Sequence, residues 1–109
     1  MKKDPRILLQ HVRESIDLIF DYIDGVSESK FKEDQSIQDA VLRRIEIIGE
    51  AVKGLPEDFR KLNPDIPWSK IAGTRDFVIH EYFSIDTDLV WEIIQKDLPD
   101  LRRKIEPLI

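Results

Sequence analysis

The chain has 109 residues, of which 41% are hydrophobic and 36% are charged, and its formal net charge is -5. This length and balance are typical of one globular domain with a heavily charged surface, and they exclude a disordered chain. Cysteine is absent from the sequence, which excludes disulfides and thiolate metal sites. An acidic chain does not favour nucleic-acid binding, so any RNA contact would require a local basic patch.

The first predicted helix has apolar residues at steps of three and four from Leu8 to Ile23. Asp4 is its expected N-cap, Pro5 its first helical residue, and Gly25 its end. Charged residues interrupt every apolar run in this region, so we expect no signal peptide, no membrane span and a cytoplasmic location. The polar segment that follows, residues 25–35, is interpreted as a connection.

A second helix is predicted from about Ser36 to Lys53, closed by Gly54. Residues 56–58 could begin a short helix that ends at residues 63–64, an Asn-Pro pair.

A third main helix is predicted to cover about Trp68 to Tyr82. Asp86 or Thr87 should cap the last helix, which Pro99 should kink or restart. No segment alternates with a period of two, and no repeat or second domain is visible. Residues 1–109 are therefore predicted to form a single all-α domain, a bundle of four main helices plus a short helix. A surplus of apolar residues suits a dimer interface, although a thick core explains it equally well.

The segment TRDFVIHEYF, residues 74–83, places an arginine, a histidine and a tyrosine among apolar residues. In a continuous helix, Arg75 and Tyr82 would lie within about 20° of each other, and Asp76 would neighbour His80. Arg75 and His80 would be about 140° apart. They would share a cleft only if something else shaped it, such as a second copy of the helix around a two-fold axis.

These residue types suit metal-free cleavage of RNA. The imidazole of His80 could help a ribose 2'-OH attack the adjacent phosphate, and the Arg75 guanidinium could stabilise the developing charge. Asp76 could orient the imidazole and raise its pKa. From the pattern alone, a surface arginine paired with a carboxylate and a structural histidine remains the favoured explanation.

Other charged residues fit simpler explanations. Glu46 and Glu50, beside two arginines, indicate an exposed salt-bridged face, with a cleft lining as the alternative. The basic clusters at residues 43–44 and 101–104 could supply an RNA patch, although solvated helix surfaces are the default. No pair of histidines has metal-ligand spacing, so no metal or cofactor is expected.

The stretch RDFVIHEYF fits the R-x4-H-x-Y pattern, and the chain resembles the HepT-like toxins of the HEPN superfamily. The resemblance extends through RRIEIIGEAVKGLP, NPDIPWSKIAGTRD and DTDLVWEIIQKDLPDL, and so covers nearly the whole chain. It implies a HEPN-type helical bundle that forms a symmetric dimer. It also implies a metal-independent endoribonuclease, the toxin of a type VII-like HepT/MntA toxin–antitoxin pair.

The resemblance also implies roles for individual residues. Arg75 and His80 match the catalytic pair, and Tyr82 matches the tyrosine to which an MntA-like nucleotidyltransferase antitoxin transfers AMP, silencing the toxin. Asp76 stands where the family usually has asparagine, and its carboxylate could repel a phosphate or hold Arg75 or His80 in place. The alternative is a non-catalytic HEPN module that binds nucleotide or substrate for a partner nucleotidyltransferase, which the net charge and Asp76 both favour.

Overall fold

The computed structural model describes residues 4–78 and 84–109, without the side chain of Phe77. Every regular element in these residues is helical, which confirms the all-α prediction. The elements of the first half are α1 (Pro5–Ile23), α2 (Glu28–Glu33), α3 (Gln35–Lys53) and α4 (Glu57–Leu62). Those of the second half are α5 (Trp68–Ala72), α6 (Thr74–Val78), α7 (Thr87–Glu92), a π-helical turn (Ile93–Asp97), α8 (Leu98–Ile105) and a 3₁₀ turn (Glu106–Leu108).

Polar caps set the starts of α1 and α7. The Asp4 carboxylate accepts a hydrogen bond from the backbone N–H of Arg6, with Pro5 in the first turn, as predicted. Gly25, just beyond the end of α1, has a φ of 72°, a left-handed conformation that glycine adopts without strain. The cap of α7 is Asp86, which accepts from the backbone N–H of Leu89.

The segment interpreted as a connection contains α2, so that part of the prediction was wrong. Ser27 caps this helix, and Phe31 is fully buried with its ring 5.4 Å from that of Trp91. Asp34 ends α2 and also caps α3, accepting a hydrogen bond from the backbone N–H of Ile37 that lowers the pKa of its carboxyl. The two caps and the buried ring of Phe31 therefore help to stabilise this polar segment as a helix.

The third predicted helix is not continuous, because it divides at Gly73 into α5 and α6. The Gly73 N–H donates to the carbonyl of Ser69, and the Thr74 hydroxyl donates to the carbonyl of Lys70. These two bonds satisfy carbonyl groups at the end of α5 and allow the chain to change direction. Residues 79–82, the rest of the predicted helix, lie outside the described residues.

The last predicted helix passes Pro99 by widening into the π-helical turn Ile93–Asp97. A proline within a helix cannot donate its backbone hydrogen bond, and its ring clashes with the carbonyl four residues earlier. The wider turn relieves that clash, and regular α-helix restarts at Leu98, as Pro99 predicted.

Helices α1 and α3 pack along their lengths and form the centre of the fold. Their buried aliphatic side chains are Leu8, Leu9, Val12, Ile16 and Ile19 from α1, and Val41, Ile45, Ile48 and Val52 from α3. Helix α8 is joined to α1 by Arg102, whose Nε lies 2.7 Å from Asp17, and this hydrogen bond raises the pKa of Arg102. None of the helices in residues 4–78 and 84–109 has the length and hydropathy of a membrane-spanning segment.

Candidate functional site

Arg75 lies in α6, just beyond the break at Gly73, and contacts a carboxylate on another helix. Its Nε atom is 3.4 Å from Oε1 of Glu46 on α3, and 57% of its side chain is exposed. A guanidinium group presents five N–H donors in a planar fork. Contact at the Nε edge leaves the two terminal nitrogen atoms without a hydrogen-bond partner among the described residues. Those two donors are the pair that suits a phosphate.

A cavity of about 160 Å³ lies between α3 and the α5–α6 junction, next to this ion pair. Its lining residues are Ile45, Glu46, Gly49, Glu50, Lys53, Ala72, Arg75 and Asp76. Three of them carry a negative charge and two carry a positive charge, so the lining has a net charge of -1. Glu46 and Glu50 are both salt-bridged, as predicted, and both line this cavity.

Gly49 brings α3 close enough to α5 for this contact to form. A Cβ atom at Gly49 would lie 3.2 Å from the carbonyl oxygen of Ala72, closer than about nine in ten Cβ contacts in proteins. A residue without a side chain lets the two backbones approach in this way without a shift of the neighbouring helix. The sequence reasoning missed Gly49 and the pairing of Glu46 with Arg75. A glycine inside a helix, which costs about 1 kcal/mol relative to alanine, was the available signal.

The described residues include two of the four predicted site residues. Asp76 is exposed on the cavity lining and has no ion pair with Arg75. His80 and Tyr82 lie outside the described residues, so their spacing from Arg75 and Asp76 stays a prediction. The break at Gly73 does not affect that spacing, because all four residues follow it.

The basic clusters indicated by the sequence are mostly paired with carboxylates. Their ion pairs are Arg43–Glu46, Arg102–Asp17, Arg102–Glu106, Arg103–Asp100 and Lys104–Asp100. Arg44 is half-buried, and no ion pair to it is present in residues 4–78 and 84–109. Apart from Arg44, the cations of these two clusters are therefore compensated by carboxylates.

A family model and the curated relatives of this chain agree on the family to which it is similar. A family model described as "Ribonuclease HepT-like" matches residues 12–108. "Probable ribonuclease HepT" of Thermococcus cleftensis is 40% identical over 108 residues, which cover 99% of this chain and 98% of that protein. A protein of Caldanaerobacter subterraneus subsp. tengcongensis, named provisionally as an RNase, is 38% identical over 107 residues, 98% of this chain and 96% of that protein.

A third relative is a longer protein of Methanocaldococcus jannaschii, named as a gamma-glutamylcyclotransferase and, provisionally, as an RNase. It is 48% identical over 105 residues, which cover 96% of this chain but 47% of that protein. This chain thus spans about half of that relative. No solved structure matches the chain.

Proposed function

Because the chain belongs to the HepT-like ribonuclease family, as its resemblance predicted, we propose that it is a metal-independent endoribonuclease. We further propose that it is the toxin of a type VII-like HepT/MntA toxin–antitoxin pair and cleaves RNA at a cleft between two copies. The observation that carries the proposal is the exposed Arg75 guanidinium, which Glu46 contacts at the Nε edge and which borders a cavity. Its two terminal nitrogen atoms, which have no hydrogen-bond partner among the residues that the structure describes, can both donate to one phosphate.

The proposed reaction uses the ribose of the substrate as nucleophile. His80 accepts the proton of the 2'-OH while the 2' oxygen forms a bond to the adjacent phosphorus. The bond from phosphorus to the 5' oxygen breaks, that oxygen takes a proton from water, and the protonated His80 returns its proton to solvent. Arg75 donates hydrogen bonds to the non-bridging oxygens, where negative charge develops. The products are a 2',3'-cyclic phosphate and a 5'-hydroxyl end, and no step requires a metal ion.

A symmetric homodimer supports this reaction. Arg75 and His80 would point about 140° apart on one helix, so one copy is poorly arranged to use both on the same phosphate. Two copies of residues 74–83 packed about a two-fold axis would bring two arginines and two histidines to one cleft.

We propose that Tyr82 is the residue through which the MntA-like nucleotidyltransferase antitoxin silences the protein. AMP attached to its phenol oxygen would place a phosphate and a base near Arg75 and occupy the RNA site. A Tyr82→Phe protein that the antitoxin still modified and silenced would rule out this role.

The negative charge of the cavity lining favours a second candidate function. Glu46, Glu50 and Asp76 outnumber Lys53 and Arg75, which opposes the approach of an RNA phosphate to a single copy. A non-catalytic HEPN module that binds nucleotide or substrate for a partner nucleotidyltransferase would tolerate such a lining. This module would form a stable complex with its protein partner and would bind RNA weakly, with little dependence on salt.

The experiment that tests the nuclease compares RNA and DNA oligonucleotides of one sequence, incubated with the unmodified protein. We expect cleavage of RNA only, because DNA lacks the attacking 2'-OH, and products that end in a 2',3'-cyclic phosphate by mass spectrometry. Cleavage of the DNA, or RNA products ending in a 3'-hydroxyl, would contradict the proposed chemistry. RNA that stays intact would favour the nucleotide-binding module.

A further inference from the structure

A shallow groove of about 490 Å³ lies between α4 and the start of α5, apart from the cavity beside Arg75. Its charged lining residues are Arg60 and Lys61 on α4, Lys70 on α5, and Glu57 at the start of α4. The lining thus has a net charge of +2, on a chain whose formal net charge is -5.

The groove has a positive lining where two other cavities have negative ones. The cavity beside Arg75 has a lining of net charge -1. A third cavity of about 320 Å³, between α3, α5 and α8, also has a net charge of -1. Its charged lining residues are Asp65, Asp97, Asp100, Lys70 and Lys104. Of these three concave surfaces, the groove is the one that attracts an anion.

A rigid scaffold holds the groove in shape. The Trp68 side chain is buried, and its Nε1–H donates to the carbonyl oxygens of Arg60 at 3.2 Å and Asn63 at 3.0 Å. Its ring lies 6.3 Å from that of Phe59, so α4 is fixed to the start of α5. Because Trp68 is buried in this role, it offers little surface on which a base could stack, and the groove is suited to a backbone.

Arg60 is the cation of the groove that has no ion pair with any described carboxylate. Its Nε atom is buried and has no hydrogen-bond partner among the described residues. A buried polar atom that lacks a partner is rare and indicates a strained or a functional position. An anion that bound the Arg60 guanidinium from the groove would compensate for this desolvation.

The other two cations have only weak pairings. Lys61 lies 3.3 Å from Glu57, and Lys70 lies 3.7 Å from Asp97. The side chains of these two lysines and of their two acidic partners are between 46% and 74% exposed. Exposed ion pairs of this kind contribute little free energy, so a phosphate can replace either carboxylate at small cost.

The groove is also near the candidate active site along the chain. Lys70 precedes Arg75 by five residues, so their Cα atoms are at most about 18 Å apart, given at most about 3.6 Å per residue. Single-stranded nucleic acids commonly follow a positively charged groove over several nucleotides. A strand that passes over Lys70 can therefore extend to the cavity beside Arg75.

We propose that the groove formed by Arg60, Lys61 and Lys70 binds the phosphate backbone of single-stranded RNA and so holds the substrate outside the catalytic cleft. The proposal rests on the proposed function, since it specifies how an acidic chain holds an RNA substrate. The groove contacts phosphates and no bases, so the binding it provides is independent of RNA sequence.

The test measures binding of labelled single-stranded RNA to the His80→Ala protein by fluorescence anisotropy, between about 50 and 200 mM salt. Each phosphate contact on a single strand contributes about -0.7 to the slope of log affinity against log salt. We expect Arg60→Ala to weaken binding several-fold at low salt and to make the slope shallower by about 0.7. Lys61→Ala and Lys70→Ala each make it shallower by a similar amount.

Arg103→Ala is the matched control, because it removes one exposed positive charge from α8 and leaves the groove intact. We expect this control to keep the wild-type slope. Lys61→Ala and Lys70→Ala change exposed side chains only, so they test the groove even if Arg60→Ala destabilises α4. Slopes that equal the control's in all three groove variants would overturn the proposal, as would RNA binding that does not depend on salt.

The binding assay separates this proposal from the proposed nuclease. A wild-type protein that binds RNA through the groove but never cleaves it would contradict the nuclease and support the groove. In a protein that does cleave, we expect the Lys61→Ala and Lys70→Ala variants to raise KM and leave kcat unchanged, because the groove binds substrate and transition state equally. A fall in kcat at constant KM would overturn the assigned role.

Discussion

The contact between Arg75 and Glu46 is too exposed to stabilise the fold by much. Its two side chains are 57% and 32% exposed, and exposed ion pairs contribute about 0–1 kcal/mol. Its effect on geometry should be larger, because the Glu46 carboxylate attracts the Nε edge of the guanidinium and so favours an orientation in which the two terminal nitrogen atoms face away from it. We infer that Glu46 positions Arg75 for a phosphate.

Replacing Glu46 by alanine tests this role at the level of one residue. We expect kcat for RNA cleavage to fall about tenfold, equivalent to about 1.4 kcal/mol, because a freely rotating guanidinium is poorly aligned in the transition state. Glu46→Gln, which keeps an oxygen acceptor, should recover part of the loss. The free energy of unfolding, measured with urea, should change by less than about 1 kcal/mol.

Glu50→Ala is the control for the Glu46 variant. Glu50 lines the same cavity, but its ion pair is with Lys53 at 4.0 Å. Kcat should therefore stay at the wild-type value. An equal fall in both variants would contradict a specific role of Glu46 in positioning Arg75. Faster cleavage by Glu46→Ala would show that Glu46 restrains Arg75.

At the scale of elements, two glycines determine where Arg75 is presented. Gly73 separates α5 from α6, and Gly49 lets α3 approach the carbonyl oxygen of Ala72, the last residue of α5. The junction that carries Arg75 is therefore in direct contact with the helix that carries Glu46. A small change in this contact should move Arg75 more than it changes the stability of the fold.

Gly49→Ala tests that coupling. The added Cβ would lie 3.2 Å from the Ala72 oxygen, so the α5–α6 junction must shift by a few tenths of an ångström. Alanine is favoured over glycine in a helix by about 1 kcal/mol, which offsets part of the strain. We expect the free energy of unfolding to change by less than about 1 kcal/mol, while kcat/KM falls by about tenfold or more.

Gly54→Ala provides the matched control for Gly49→Ala. A Cβ at Gly54 would make ordinary contacts, 3.4 Å from the Ala51 oxygen and 3.5 Å from the side chain of Leu8. Its φ of -78° is also accessible to alanine. We expect normal cleavage by this variant. Normal cleavage by Gly49→Ala as well would exclude a role for the close approach of the two helices.

The long helices could be predicted from sequence because their apolar spacing and their capping residues indicate the same boundaries. Asp4 caps α1 and Asp86 caps α7, and both positions follow from local chemistry alone. Helix α2 could not be predicted from periodicity, since six residues give no repeat and its one anchor, Phe31, is recognisable only in the packed fold. The break at Gly73 likewise depends on how α5 packs against α3.

The candidate site also combines residues that a local motif predicts with residues that only the packed fold brings together. Arg75 and Asp76 could be proposed from the sequence because they stand close together in a short motif. Glu46 was not assigned to Arg75, because only the packing of α3 against α6 brings the two side chains together. The groove was missed because its cations come from two elements on either side of a proline-rich connection, so no run of basic residues marks it.

At the scale of the whole molecule, the distribution of charge matters more than the net charge of -5. The basic residues of α8 are paired with carboxylates, whereas the groove at α4 and α5 keeps a positive lining. The negative charge of the whole chain should slow the association of RNA with the protein. The positive groove should make the affinity for RNA depend strongly on salt.

The central claim is that this chain cleaves RNA without a metal ion, using His80 and Arg75. The most direct test is RNA cleavage in EDTA at neutral pH by protein whose intact mass shows an unmodified chain. Wild type, His80→Ala and Arg75→Ala are compared. We predict cleavage by wild type and a loss of about 10²–10⁴-fold in rate for His80→Ala, the usual contribution of a general base, with a severe loss for Arg75→Ala. Equal rates in all three proteins, or no cleavage by wild type, would contradict the account.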